Sequence, residues 1–249
     1  MQDNILKIEN LRKIYHTKKA EILAVEDFSL ELKKGEFVAI VGPSGCGKST
    51  ILSVLCGLEK ISSGKIDIAP RLSFGYMLQK DSLFEWETIF KNCLLGLEIK
   101  GKVTCDEEKY VEMLLNSYGL SDFKNAYPNN LSGGMRQRVA LIRTLATKPD
   151  ILILDEPFSA LDYQTRLAVS DDVYRIIKKE GKSAIMVTHD ISEAISMADR
   201  VIVMSKRPGK IKSIYEIKLS DKSTPIQNRK ASEFATYYDL IWKDIDFYV

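Results

Sequence analysis

The residues of this chain best suited to chemistry are Gly42-Pro43-Ser44-Gly45-Cys46-Gly47-Lys48-Ser49-Thr50. The glycines let the backbone turn tightly and aim successive N–H groups at one point, and a lysine follows them directly. The flanks define the use of such a loop. Before it, Phe37-Val38-Ala39-Ile40-Val41 is a continuous apolar run of the kind a fully buried parallel strand needs; after it, Ile51-Leu52-Ser53-Val54-Leu55 repeats leucine at helical spacing. Strand, glycine loop and helix in that order make an anion nest, to which the helix adds the positive end of its dipole. Lys48 is then placed to reach the β- and γ-phosphates of a nucleotide, and the Ser49 hydroxyl to ligate a bridging Mg²⁺. The pattern G-x-x-x-x-G-K-[ST] arises by accident in a chain of this length with a probability of about 1%. With the correct flanks, a nucleoside triphosphate site is the reading to prefer over a plain glycine turn.

Two further groups are candidates on their own spacing. Ile151-Leu152-Ile153-Leu154 is a buried strand that ends in Asp155 and Glu156. Such a strand emerging at the phosphate end puts Asp155 near the Mg²⁺ shell and Glu156 beside the terminal phosphate, where it can orient water; acidic caps on apolar strands are the plainer alternative. Leu131-Ser132-Gly133-Gly134-Met135-Arg136-Gln137 opens a helix whose apolar face includes Val139, Ile142 and Leu145, a second helix N-terminus fit for an anion or simply an N-cap. Tyr15 stands where the first strand ends. Its ring can stack on a base or belong to an ordinary strand.

The elements that must position these residues follow from the pattern along the chain. Leu6–Leu11 and Phe28–Leu32 alternate and predict two half-exposed antiparallel strands, while Lys65–Ile68 resumes alternation after a turn at Ser62-Ser63-Gly64. Leu72–Met77 reads as a strand ending at Gln79. From there to about Thr147 the chain is largely helical, with Val111, Leu114, Leu115 and Tyr118 on one face and a break at Pro128-Asn129-Asn130. Ile151–Leu154 and Ala184–Val187 then predict strands joined by a crossover helix over Leu167–Lys179. After about Asp221, Phe234, Tyr237, Tyr238, Leu240, Ile241 and Trp242 suggest a short aromatic helix packed on the core.

Composition narrows the classes. Across 249 residues, 36 basic and 34 acidic side chains nearly balance, which argues against a broad nucleic-acid surface. Four irregularly spaced cysteines and two histidines suit neither a zinc site nor a disulfide framework, and a reducing compartment is expected. Met1-Gln2-Asp3-Asn4 carries no signal-peptide pattern, and no apolar stretch approaches the roughly 18 residues of a membrane span. Cys46 lies within the glycine loop, so alkylation is expected to block activity and bound nucleotide to protect.

With these motifs in view, nearly the whole chain resembles the ATP-binding subunit of an ABC transporter. Gly42–Thr50 resembles the Walker A loop, Ile151–Glu156 the Walker B strand and Leu131–Gln137 the signature motif. Gln79 is similar to the Q-loop glutamine, Ser159-Ala160-Leu161-Asp162 to the D-loop, His189 to the switch histidine and Tyr15 to the adenine-stacking aromatic. The resemblance implies an α/β fold: a P-loop NTPase (RecA-like) core with an N-terminal antiparallel β subdomain and an inserted α-helical subdomain. Residues 1–249 would form a single ABC ATPase domain, with the helical subdomain over about 80–147 and a C-terminal helical tail over about 221–249.

The resemblance also implies partners. Two subunits pair head to tail, and each ATP is held by Lys48, Ser49, Gln79, Glu156 and His189 of one and Ser132, Gly133 and Gly134 of the other. Mg²⁺ falls to Ser49, Gln79 and Asp155, and Asp162 joins the nucleotide-contacting set. A groove after Gln79 meets transmembrane permease subunits, with Trp86 at that interface and Ile89 in the core, so the protein is expected on the cytoplasmic face of the membrane. The run Met186–Ile211 and Trp86-Glu87-Thr88 are similar to importer ATPases of the nitrate, sulfonate and taurine group, although Glu85 stands where these relatives often have proline. That group serves an extracytoplasmic solute-binding protein and includes carriers of thiamine-precursor pyrimidines. A soluble assembly ATPase without a membrane partner is the alternative.

Overall fold

The structure is a computed structural model that describes residues 4–18 and 20–245. Readings that fall on Met1–Asp3, on Lys19 or on positions 246–249 lie outside the described residues. Alternating residues build β1 (Asn4–His16) and β2 (Glu21–Lys33), which pair antiparallel along their length. A third antiparallel strand, β4 (Ser63–Ile68), borders β1 on its other side. It starts inside the expected turn, with Ser63 opposite Arg12.

The larger sheet is built from β3 (Phe37–Val41), β5 (Phe74–Met77), β6 (Ile151–Asp155), β7 (Ser183–Val187), β8 (Arg200–Met204) and β9 (Ile211–Glu216) in the order β5-β6-β7-β3-β8-β9. All neighbours are parallel except β8 and β9. Every residue of β3, β6 and β7 is buried, as their unbroken apolar runs require. Alternate side chains of these strands enter two different cores. Val38, Ile40, Ile153 and Ile185 pack with the three-stranded sheet and with α1 (Lys48–Leu55). Phe37, Ala39, Leu152, Leu154 and Met186 pack on the opposite side, against residues of the helices that follow.

Those helices are α2 (Ile89–Lys100), α3 (Cys105–Ser117), α4 (Gly133–Ala146), α5 (Tyr163–Lys179), α6 (Ile191–Met197), α7 (Pro225–Asn228) and α8 (Phe234–Asp244). The expected face of α3 is buried, and the break at Pro128-Asn129-Asn130 is a single 3-10 turn. Two boundaries differ from the sequence pattern for the same reason: a side chain bonds to backbone. The Asp150 carboxylate accepts from the Ser73 N–H and hydroxyl, each at 2.8 Å, and turns Leu72-Ser73 out of β5. Asp162 Oδ1 accepts from the Thr165 N–H at 3.0 Å, so α5 starts at Tyr163 and not Leu167. The aromatic helix α8 packs on the core through fully buried Ile241, with Tyr237 and Tyr238 half-buried, while Leu240 and Trp242 are exposed.

Residues 79–88 between β5 and α2 are irregular, and one buried side chain holds the second half of the segment. Asn92 Nδ2 donates to the carbonyls of Phe84 (3.0 Å), Glu87 (3.1 Å) and Thr88 (3.0 Å), while its Oδ1 accepts from the Phe84 N–H at 2.8 Å. Ile89 is buried as expected and Trp86 is 72% exposed, its ring stacked on Phe84 at 4.9 Å. Replacing Asn92 with Leu strands these backbone groups. We expect a loss of about 2–4 kcal/mol in urea unfolding and faster amide exchange over 84–88. Unchanged stability would mean that water satisfies the loop instead.

Candidate functional site

Because β5, β6, β7 and β3 run parallel, their C-terminal ends meet at one edge, with Met77 level with Leu154, and Val187 level with both Asp155 and Ile40. The glycine loop leaves β3 at this edge. Gly45 (φ +73°) and Gly47 (φ +106°) are in the left-handed region that favours glycine. A Cβ at Gly47 would lie 2.8 Å from Val25 Cγ2 and 2.9 Å from the Ala24 carbonyl, so the loop is pressed directly against β2. Lys48 is buried, and its Nζ donates to the carbonyls of Gly42 (2.8 Å) and Pro43 (2.9 Å). Those bonds hold the ammonium inside the curve of the loop.

Ser49 Oγ donates to Asp155 Oδ1 at 3.2 Å. Burial raises the Asp155 carboxyl above its ordinary range, against the pull of Ser49 and Lys48, as expected of a desolvated anion that a cation would relieve. This pair of hard oxygen donors has the chemistry that a Mg²⁺ ion would need. Among the described residues no group of three or more His, Cys, Asp or Glu side chains forms a metal cluster.

Glu156, the next residue, has φ +48°. A non-glycine residue there is strained by about 1 kcal/mol or more, and its N–H donates to the Val187 carbonyl at 2.9 Å, which fixes it. Its Oε2 accepts from Gln79 Nε2 at 3.0 Å and lies 3.3 Å from His189 Nδ1. Two side chains from two other loops thus converge on one carboxylate oxygen.

Tyr15, Ser44, Gly45, Gly47, Lys48, Ser49, Thr50, Gln79 and Glu156 line one cleft of about 610 Å³. The Tyr15 hydroxyl donates to Thr50 Oγ1 at 3.4 Å, and Lys13 Nζ lies 4.7 Å from its ring centroid, covering one face. Asp155 and His189 join the cleft through Ser49 and Glu156. Gly42, Pro43 and Cys46 are not among its lining residues, and neither are Ser132, Gly133, Gly134 and Asp162. Ser132 caps α4, accepting from the Met135 N–H at 3.3 Å, and Asp162 caps α5. Gly133 lines a second groove with Gln79, Asp81 and Arg136. The pattern reading missed Thr17, Ile22, Ala24 and Arg207 in the cleft wall. The first three continue the alternation that follows Tyr15, which offered a signal; Arg207 is brought in by a turn far along the chain and offered none.

The expectation for Cys46 needs correction. Its side chain is 1% exposed and not among the residues lining the cleft, with Sγ 3.8 Å from Lys48 Nζ, and burial pushes its thiol up, outweighing that ammonium. Cys56 is half-buried with its thiol pushed up to about 12, Cys93 is buried and Cys105 is exposed. A thiol reagent on the native protein should therefore consume Cys105 first, and C105S should lose the fast phase whether or not nucleotide is present. A fast, nucleotide-protected thiol remaining in C105S would return Cys46 to the cleft.

Beneath His189 lies a buried acid. Glu193 Oε2 accepts from the Thr188 hydroxyl at 2.7 Å, and burial pushes its carboxyl from 4.5 up to about 7, with Arg166 Nε too distant at 3.7 Å to reverse the effect. The fold then keeps a proton that the unfolded chain releases above its ordinary value. The stability contributed by this group is full below about pH 4.5 and is lost as pH rises through about 7. E193Q should cancel this component, so the wild-type-minus-variant difference in urea midpoint falls across that window. A flat difference would mean that Glu193 is ionised throughout.

Comparison with known proteins agrees with this geometry. A family profile described as "ABC transporter" matches residues 25–159. The ABC transporter ATP-binding protein YtlC of Bacillus subtilis is 42% identical over 98% of this chain and 96% of its own length. The taurine import ATP-binding protein TauB of Roseobacter denitrificans is 39% identical over 87% and 83%, and the nitrate import ATP-binding protein NrtD of Synechocystis 38% over 95% and 93%. The solved dimeric post-hydrolysis state of the ATP-binding cassette MJ0796, bound to ADP and Pi, superposes with a TM-score of 0.77 at 32% identity, covering 86% of this chain and 99% of that one.

Proposed function

The chain belongs to the ABC transporter family, and from that premise we propose that it is the ATP-binding and ATP-hydrolysing subunit of an importer for a small solute. The observation that carries the proposal is the convergence of Gln79 and His189 on Glu156 Oε2 at the rim of the cleft that contains Lys48 and Ser49. In this reading Lys48 and the amides of Ser44–Thr50 hold the phosphates, while the open face of Tyr15 receives the base. Ser49, Asp155 and the amide oxygen of Gln79 would hold Mg²⁺, which would offset phosphate charge. Glu156 accepts a hydrogen bond from the attacking water and orients it. His189 steadies the terminal phosphate, and Gln79 fixes the carboxylate that both act around.

Ser132, Gly133 and Gly134 lie outside this cleft, so their helix N-terminus serves the nucleotide of a second copy, and Asp162 lies at the same interface. The dimeric state of the MJ0796 cassette supports that arrangement. The exposed Phe84–Trp86 stack beside Gln79 is an apolar surface suited to a transmembrane permease subunit, which would hold this chain at the cytoplasmic membrane face. No helix among the described residues is long and apolar enough to cross a membrane. The solute, delivered by an extracytoplasmic binding protein, belongs to the class of taurine, sulfonates, nitrate or a thiamine-precursor pyrimidine. TauB and NrtD match this chain at nearly the same identity, 39% and 38%, and the choice within that class falls to the partners.

The test is E156Q. ATP affinity should be kept, turnover should fall by about 100-fold or more, and the protein should accumulate as an ATP-dependent dimer. Tagged E156Q recovered from detergent-solubilised membranes with ATP should bring a polytopic partner. Recovery of soluble partners alone would overturn the importer in favour of an assembly ATPase, and wild-type turnover would assign the base to another residue.

A further inference from the structure

We propose that Arg207 is a second polyphosphate-binding cation of the cleft, acting beside Lys48. The inference rests on the nucleotide reading of that cleft and adds a residue that the motifs do not contain. Arg207 lines the cleft with Ser44 and Gly45, and its Nη2 is 4.0 Å from where a Cβ on Gly45 would stand. No hydrogen bond or ion pair to any described residue engages its guanidinium. Lys48, by contrast, is committed to two loop carbonyls. A nucleoside triphosphate with Mg²⁺ carries more negative charge than one lysine offsets, and a guanidinium presents a planar fork of donors suited to phosphate oxygens.

The mount of Arg207 is rigid, which separates it from an ordinary surface arginine. The turn between β8 and β9 closes on itself, with the Ser205 N–H donating to the Lys210 carbonyl at 2.9 Å and the Lys210 N–H to Ser205 Oγ at 3.0 Å. It is sewn to β2: the Gly209 N–H donates to the Ala24 carbonyl at 2.9 Å, the Glu26 N–H donates to the Gly209 carbonyl at 3.0 Å, and Lys210 Nζ pairs with Glu26 at 2.9 Å. It also presses on the phosphate loop, since a Cβ at Gly209 would lie 1.9 Å from the Cys46 carbonyl oxygen. The base of the side chain is therefore fixed relative to the loop whose anion it serves, and only the side chain has to be ordered on binding.

Equilibrium binding of ATP, tripolyphosphate and adenosine to wild type, R207Q, R207K and K48A tests the proposal. R207Q should weaken ATP and tripolyphosphate by about five- to tenfold and reduce the salt dependence of both, while adenosine binding stays unchanged and R207K recovers part of the loss. Wild-type affinity of R207Q for both phosphate ligands overturns the proposal. So does an equal loss for adenosine, which would mean that the substitution disturbs the turn and not a phosphate contact. K48A separates the two levels of inference. If K48A loses ATP and R207Q does not, only the role of Arg207 fails; if both bind normally, the nucleotide reading of the cleft fails with it.

Discussion

The parallel pairing of β5, β6, β7 and β3 constrains the rest of the molecule. β3, β6 and β7 are buried over their whole length, with alternate side chains committed to two separate cores. A charge in mid-strand would lose its water with no partner to replace it. Polar chemistry is thus excluded from mid-strand and collects at the C-terminal ends: Gln79 after Met77, Asp155 and Glu156 after Leu154, His189 after Val187 and Thr188. The common direction of the strands brings those ends to one edge, and the register sets them level. The convergence on Glu156 Oε2 follows from the sheet before any ligand is considered.

The second constraint acts on the phosphate loop, which is wedged between β2 of the antiparallel sheet on one side and the end of β8 with the turn that follows it on the other. Ala24 and Val25 of β2 press on Gly47, while Met204 lies 3.0 Å from the site of a Cβ on Gly42, and Gly209 presses on Cys46. The antiparallel sheet therefore does more than carry Tyr15. It fixes the amides in position, so that binding an anion needs little reorganisation, which is where electrostatic preorganisation has its effect. The same wedge turns the Cys46 side chain inward and explains why a cysteine inside the loop is not a thiol inside the cleft.

The legible parts of the site were those carried by neighbours in sequence. The loop with its strand and helix, and the apolar run ending in Asp155-Glu156, are local patterns whose physics is local. The antiparallel alternation and the apolar face of α3 were legible for the same reason. Boundaries failed where one side chain bonds to distant or capping backbone, as at Ser73 with Asp150 and at Asp162. Contacts such as Gln79 with Glu156 carry no local signal, because the sheet order alone brings them together; only likeness to a known family pointed to Gln79 and His189. Arg207 and the inward face of Cys46 depend on a turn that arrives from far along the chain, and nothing in their own surroundings marks them.

The irregular segment 79–88 joins two parts that would otherwise be separate. Arg136, on the first turns of α4, donates through Nε and Nη2 to Asp81 at 2.8 and 3.0 Å, and Arg143 on the same helix donates to the Ser82 and Asp81 carbonyls at 2.8 and 2.7 Å. The Arg136 guanidinium holds the Asp81 carboxyl below its ordinary range. Asn92 closes the far end of the segment from α2. The surface formed by Phe84 and Trp86, the N-terminus of α4 at Ser132–Gly134 and the amide of Gln79 are therefore tied into one braced unit. A force on the exposed aromatic pair passes through Asp81 before it reaches Gln79, and Asp81 is gripped by α4. If an anion at the α4 N-terminus biases the position of this unit, then whatever docks on the aromatic pair must bias anion binding by the same free energy, because such coupling is reciprocal. The bond from Gln79 to Glu156 would carry that bias to the carboxylate proposed to orient the water.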